Sequence, residues 1–316
     1  DGTSGSEIVG IYLGDSMKNV MRVFSVILLI LVGTVFVTSP AGLLTSMTGI
    51  DKTIWVVLII VYYIVATVLP VDKVIGKIYP IFGASLLFMA IGLAGAMIVG
   101  HFNGSMVMPE MTLQNLHPSG LSVFPFLFTT IACGALSGFH ATQSPMMARC
   151  INRESESKRV FYGAMVVEGI VALIWCAVTI AFFGESGAIQ AALDSFGGQS
   201  GVVGMISKEL LGPIGAVLAV LGVVACPITS GDTAFRSARL TIADAFNIKQ
   251  EGLLSRFKLA IPLFVVCIFL TTIDFNIIWR YFAWSNQTLA TIFLWTATVY
   301  LLKNKGNHWI TLIPAT

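Results

Sequence analysis

His140, in a polar run at membrane depth, and Glu168, in an otherwise apolar span, are the first candidates for chemistry. His140 belongs to the run GALSGFHATQSPMMAR (134–149), where Ser137, Gly138, Phe139, His140, Thr142, Gln143 and Ser144 precede Pro145. It stands nine residues before Arg149. At about 1.5 Å per helical residue that is roughly 13 Å, well inside a bilayer whose edge Arg149 marks. A histidine at that depth can relay a proton or touch a substrate; a hydrogen bond to a carbonyl is the alternative. Glu168 lies nine residues past Arg159. A lone carboxylate in hydrocarbon must be protonated, paired or turned to a polar cavity. It is the second candidate proton carrier, with a structural hydrogen bond to a facing helix as the other reading.

Gly138 and Pro145 loosen the backbone between them. Because proline also disfavours helix in the residue before it, the chain is expected to unwind over 139–144. Freed carbonyls and amides there could hold an ion or an anionic group. A helix restarting at Ser144, with Ser as cap and Pro in its first turn, would suit a carboxylate. A proline kink satisfied by neighbouring helices is the competing reading.

A second interruption is expected in ACPITSGD (225–232), where Pro227 and Gly231 flank Ile228, Thr229 and Ser230. Adjacent hydroxyls with free carbonyls suit a hard cation such as sodium. Asp232 could add charge or carry a proton, or pair with Arg236 four residues on. The segment RYFAWSNQT (280–288) combines an aromatic interface belt with Ser285, Asn286 and Gln287 beyond it. Those three either line a cavity or hydrogen-bond between helices.

The elements that position these residues must cross a membrane. Of 316 residues, 56% are hydrophobic and 11% are charged, against roughly 25% charged in soluble domains. Mean hydropathy is +0.87. A net charge of +2 without a large basic patch argues against nucleic acid as a partner. The five cysteines show no CxxC spacing and the four histidines are dispersed, so neither a metal motif nor a disulfide framework is indicated. No cofactor is implied, save a coupling cation, H⁺ or Na⁺.

About eight apolar stretches approach the length that spans a bilayer. They are 20–44, 53–69, 75–100, 121–137, 160–183, 213–226, 259–273 and 277–302. The fourth and sixth are short and run on into the two polar segments. The stretch 194–212 is Gly-rich and reads as an external loop with a short interfacial helix. Lys and Arg gather in alternate connections: Lys73 and Lys77, then Arg149, Arg153, Lys158 and Arg159, then Arg236 to Lys258. The positive-inside bias puts those loops, and both ends of the chain, in the cytoplasm. The polar opening and the apolar close at WITLIPAT suggest a piece of a longer protein, with spans missing at both ends.

GALSGFHATQSPMMAR, CPITSGDTAFRSARLTIADAF and RYFAWSNQTLATIFLW together resemble the carbon starvation protein A family. SEIVGIYLGDSMKNVMRVF is similar to that family's cytoplasmic connection after its early spans. The resemblance implies a multi-pass protein of the bacterial inner membrane that takes up peptides or, in related members, pyruvate, driven by a cation gradient. With three spans placed before Asp1, the broken 121–151 segment becomes the seventh, and a broken second span lies five earlier. That spacing matches a leucine-transporter-like inverted repeat. On that analogy Thr229 and Ser230 fall where related transporters hold sodium.

The sequence is therefore read as an all-α polytopic membrane protein, one partial transmembrane domain over 1–316. It is expected to import small carboxylated nutrients rather than to act as an enzyme. Substrate contacts are assigned to Ser137, Gly138, Phe139, His140, Thr142, Gln143, Ser144, Asn286 and Gln287. Proton or cation coupling is assigned to His140, Glu168, Thr229, Ser230 and Asp232. A membrane-embedded sensor and an intramembrane enzyme are the rival classes.

Overall fold

The computed structural model describes residues 4–68, 72–110, 114–117, 120–124, 127, 137–196, 198–250 and 252–316. Among them every regular element is helical. In chain order the helices are α1 (Gly5–Leu13), α2 (Asp15–Thr48), α3 (Lys52–Val68), α4 (Asp72–Phe102), α5 (Gly138–Ala148) and α6 (Ala164–Phe183). There follow α7 (Ser186–Ser195), α8 (Gln199–Ala219), α9 (Ala225–Ala245), α10 (Leu253–Thr271), α11 (Phe275–Lys303) and α12 (Trp309–Ala315). Wider π turns precede two of them, Lys158–Gly163 before α6 and Val220–Val224 before α9.

Among the described residues five stretches are long and apolar enough to cross a membrane: Asp15–Thr48, Tyr79–Phe102, Glu154–Phe183, Gln199–Ala245 and Leu253–Thr271. The chain is a multi-pass helical membrane protein. The helix Lys52–Val68 is apolar but shorter, at 17 residues. Its Ile54, Val57, Leu58, Val61, Ile64 and Val65 are exposed at three- and four-residue spacing, while Ile59, Ile60, Tyr63 and Ala66 are buried. Both faces are apolar, as expected where the outer face meets acyl chains instead of water. Phe275–Lys303 has 29 residues, yet Ser285, Asn286, Gln287 and Thr288 interrupt its apolar run. The expected span over 121–137 lies mostly outside the described residues.

Two other expectations about the elements change. The stretch 194–212 is not an external loop, because α8 runs through most of it. Gly204 in that stretch sits against another helix: a Cβ on it would lie 2.6 Å from Leu43. Within α8 Gly212 leaves helical geometry, at φ 62°, just before Pro213. That pair kinks α8, since proline cannot donate to the turn before it. The sixth stretch, 213–226, is therefore part of one long kinked span.

The chain forms two compact units. The first comprises Asp1–Thr34, Phe124–Gly169 and Thr233–Thr316. There α11 packs on α1, α5 and α12. Its inward stripe is Ile278, Phe282, Ser285, Leu289, Ile292 and Thr296, at helical spacing. Gly33 makes room for the ring of Phe235, which meets Phe264 edge-on at 5.2 Å. The second unit comprises Val35–Val123 and Ile170–Asp232. Its core gathers Met89, Leu93, Val178, Val202, Ile206 and Ala219. Gly222, in the π turn, lies against the backbone of Leu86, where a Cβ would come within 3.1 Å.

Candidate functional site

The polar run 137–145 does not unwind. It is helix from Gly138 to Ala148, with Pro145 inside. The expected break over 139–144 and the expected helix start at Ser144 are both corrected. The reason is visible in the hydrogen bonds. Ser137 is the N-cap, its hydroxyl accepting from the Phe139 N–H at 3.2 Å. Asn286, wholly buried on α11, accepts from the same N–H at 2.8 Å and from the Ser137 hydroxyl at 3.1 Å. Thr142 donates to the Phe139 carbonyl at 2.7 Å, and Ser144 to the His140 carbonyl at 2.7 Å. These side chains satisfy a helix instead of breaking one. Gly138 is required by the crossing with α11: a Cβ would lie 2.3 Å from the Asn286 carbonyl oxygen and 2.6 Å from the Leu289 Cβ.

His140 and Glu168 meet. Nε2 of His140 lies 2.8 Å from a carboxylate oxygen of Glu168, on the first turns of α6. Both residues belong to the first unit. The side chains are partly open, at 27% and 43% exposure, and the residues flanking Glu168 include exposed Val166, Val167 and Ile170. Nδ1 of His140 is buried and has no partner among the described residues. At 2.8 Å one hydrogen serves both groups: either imidazole N–H donates to carboxylate, or carboxylic acid donates to bare nitrogen. That is the geometry through which a proton can change owner.

Gln143 extends the polar set toward α9. Its amide donates to Thr142 at 3.2 Å and to Ser237 at 3.3 Å. Ser237 was not singled out by the sequence reading. The signal was present, since Thr233, Ser237 and Thr241 recur every fourth residue, one stripe on a helix.

The second expected break is also corrected. Residues 225–232 are continuous helix, and the irregularity is the π turn Val220–Val224 just before them. Thr229 donates within its own helix, to the Cys226 carbonyl at 2.9 Å and the Ala225 carbonyl at 3.2 Å. The hydroxyl thereby covers carbonyls near Pro227. Ser230 lies 3.5 Å from the Tyr79 hydroxyl, and Asp232 is buried. Gly231 admits the Tyr63 hydroxyl, 2.0 Å from where a Cβ would stand. These contacts lie in the second unit, whereas His140, Gln143, Glu168, Asn286 and Gln287 lie in the first.

Residues 8–203 match the family described as carbon starvation protein CstA. A membrane protein of Haemophilus influenzae is 39% identical over 238 residues, covering 60% of this chain and 64% of that relative. The peptide transporter CstA of Helicobacter pylori is 40% identical over 96 residues, 28% of this chain and 14% of its own length. The pyruvate/proton symporter BtsT of Escherichia coli is 40% identical over 89 residues, 27% of this chain and 12% of its own. The chain thus spans under two thirds of the Haemophilus relative and a small part of the two transporters.

Proposed function

Since the chain belongs to the carbon starvation protein CstA family, we propose that it serves a secondary active transporter of the bacterial inner membrane. The cargo is a small carboxylated nutrient, a peptide or pyruvate. The names of the Helicobacter and Escherichia relatives support that class. About eight spans and a leucine-transporter-like repeat remain the proposed architecture, with the two polar helices continuous where the analogy has them broken. The observation that carries the reading is the His140–Glu168 contact at 2.8 Å. An acid and a base sharing one hydrogen within a membrane segment suit a proton that is taken up with cargo and then released.

In this reading His140 and Glu168 hold the proton between them. Ser137 and Asn286 fix the start of α5 and thereby the position of His140, and Gln143 holds the same helix against α9. Substrate meets the side chains of Thr142, Gln143 and Gln287 rather than an unwound backbone. Thr229, Ser230 and Asp232 form a separate group for a cation or a gate.

The test is uptake by the complete protein in liposomes, with labelled pyruvate or dipeptide and an imposed proton gradient. Accumulation identifies a transporter, chemical conversion an enzyme, and binding without flux a sensor. His140→Ala is expected to abolish gradient-driven accumulation while insertion is unchanged. Glu168→Gln is expected to do the same. Wild-type uptake by His140→Ala would remove the pair from the mechanism.

A further inference from the structure

In the first unit, the turn that ends α11 carries charge without counter-charge. Lys303 closes the helix, and Lys305 follows in left-handed geometry at φ 55°. Both are exposed. From residue 275 to residue 316 the sequence has Arg280, Lys303 and Lys305 but no Asp or Glu. Two other basic connections are mixed: Glu154 and Glu156 stand among Arg149 to Arg159, and Asp244 and Glu251 among Arg236 to Lys258. Among the described residues neither Lys303 nor Lys305 has a carboxylate within 4 Å.

A lysine at a helix end commonly serves the last carbonyls. Here that role is already filled. The Tyr300 carbonyl accepts from the Asn304 N–H at 3.1 Å and from the Asn304 side-chain amide at 2.9 Å. The Leu301 and Leu302 carbonyls accept from the N–H groups of Gly306 and Lys305, at 2.8 and 3.2 Å. The Lys303 ammonium lies instead over Tyr12 of α1, 5.1 Å from the ring centre. That is within cation–π range, and an ammonium has three hydrogens, so those turned from the ring can meet another acceptor. Tyr12 meets Tyr300 edge-on at 5.7 Å, which joins α1 to the same end of α11. Apolar side chains flank the turn: Leu302, Trp309 and Ile310 are all exposed. The hydroxyls of Thr298 and Thr311, 2.9 Å apart, hold α12 back against α11. In a membrane-spanning chain such apolar side chains meet acyl chains, and tryptophan favours the headgroup level.

We propose that the turn 303–309 binds an anionic phospholipid. Its phosphodiester is held by Lys303 and Lys305, and its acyl chains lie against Leu302, Trp309 and Ile310. Basic groups beside a span attract anionic lipid, and on the positive-inside reading this turn lies at the cytoplasmic leaflet. A soluble anion would answer the two lysines and leave the apolar side chains uncovered; a neutral lipid would do the reverse. An anionic lipid answers both. The proposal rests on the membrane placement of α11 and not on the proton or cargo reading.

The complete protein in detergent is titrated with dioleoylphosphatidylglycerol and, separately, with dioleoylphosphatidylcholine and glycerol 3-phosphate. The thermal midpoint gives the response, and native mass spectrometry counts retained lipid. The expected result is a saturable rise in midpoint with retained phosphatidylglycerol, and neither with the other two. Lys303→Gln/Lys305→Asn is expected to raise the half-saturating concentration about fivefold per lysine, about 25-fold for the pair. Asparagine tolerates the left-handed geometry at 305. Lys158→Gln/Arg159→Gln removes as much charge elsewhere in the unit and is expected to leave the response unchanged. Equal responses to the two lipids would overturn the proposal. So would equal weakening by the two double variants, which would mean attraction to bulk charge. A response to glycerol 3-phosphate as strong as that to phosphatidylglycerol would mark a site for a soluble anion and overturn it too. Should the first double variant not fold, Lys305→Asn alone decides, by a shift of about fivefold or none.

Discussion

Helix Gly138–Ala148 and the stretch 225–232 contain similar residues: small ones, hydroxyls, a proline and one ionisable group each. In the first, polar groups reach other helices. Asn286 caps it from α11, Gln143 reaches Ser237 on α9, and His140 reaches Glu168 on α6. In the second, the Thr229 hydroxyl turns back on the carbonyls of its own helix, and Gly231 serves to admit Tyr63. Polar residues in a membrane span can thus join helices or repair the one that bears them. The first arrangement brings His140 and Glu168, a base and an acid, within 2.8 Å.

The comparison breaks first at the two glycines. Gly138→Ala would drive a Cβ into the Asn286 carbonyl and Leu289, which are backbone and the base of a side chain. Overpacking of this kind costs about 1–3 kcal/mol or more, read as a lower melting point in detergent. Gly231→Ala meets mainly the Tyr63 hydroxyl, the far end of a ring. It is expected to cost less, and Tyr63→Phe should recover part of the loss. No side-chain change at position 286 should rescue Gly138→Ala, because the clash there is with the carbonyl. Equal costs and equal rescue would erase the distinction.

Capping gives the next largest effect. Asn286→Ala removes the buried acceptor for Phe139 and Ser137, an expected loss of about 1–3 kcal/mol. Thr229→Val should cost about 1 kcal/mol or less, since the hydroxyl's bonds to the Cys226 and Ala225 carbonyls lie within one helix. Melting of the two variants side by side measures the difference.

How much of this was legible beforehand depends on what each residue bonds. Helix positions followed from apolar runs: 20–44 became Asp15–Thr48 and 53–69 became Lys52–Val68. His140 and Glu168 stood out as ionisable residues in hydrocarbon, although nothing in the sequence set them face to face. The breaks were misjudged because Ser, Gly and Pro are read from local preference, and the deciding partner, Asn286, lies 147 residues from Phe139. Ser144 looked like a cap and instead donates back one turn. Local propensity cannot foresee a cap supplied from another helix.

The smallest expected effect lies outside the membrane spans, at Asp51, which begins α3 with all its bonds local. The Thr53 hydroxyl and then the Thr53 N–H hold its carboxyl below the usual aspartate range, although it is fully exposed. Its contribution is complete above the ordinary aspartate value and fades as pH falls through the lowered one. Asp51→Ala should therefore lower the melting point slightly at neutral pH and not at all in strong acid. A change exceeding that of Asn286→Ala would reverse the ranking of remote over local caps.

Asn286 has a mechanical consequence. If α11 slid one turn along α5, about 5.4 Å, Phe282 or Ala290 would stand where the amide now is. Neither side chain can receive a hydrogen. The Phe139 N–H would lose its strongest anchor, and the leading coil carrying His140 would be free to fray. Sliding of one rod would be transcribed into unwinding of another, which makes this crossing a ratchet tooth rather than a bearing.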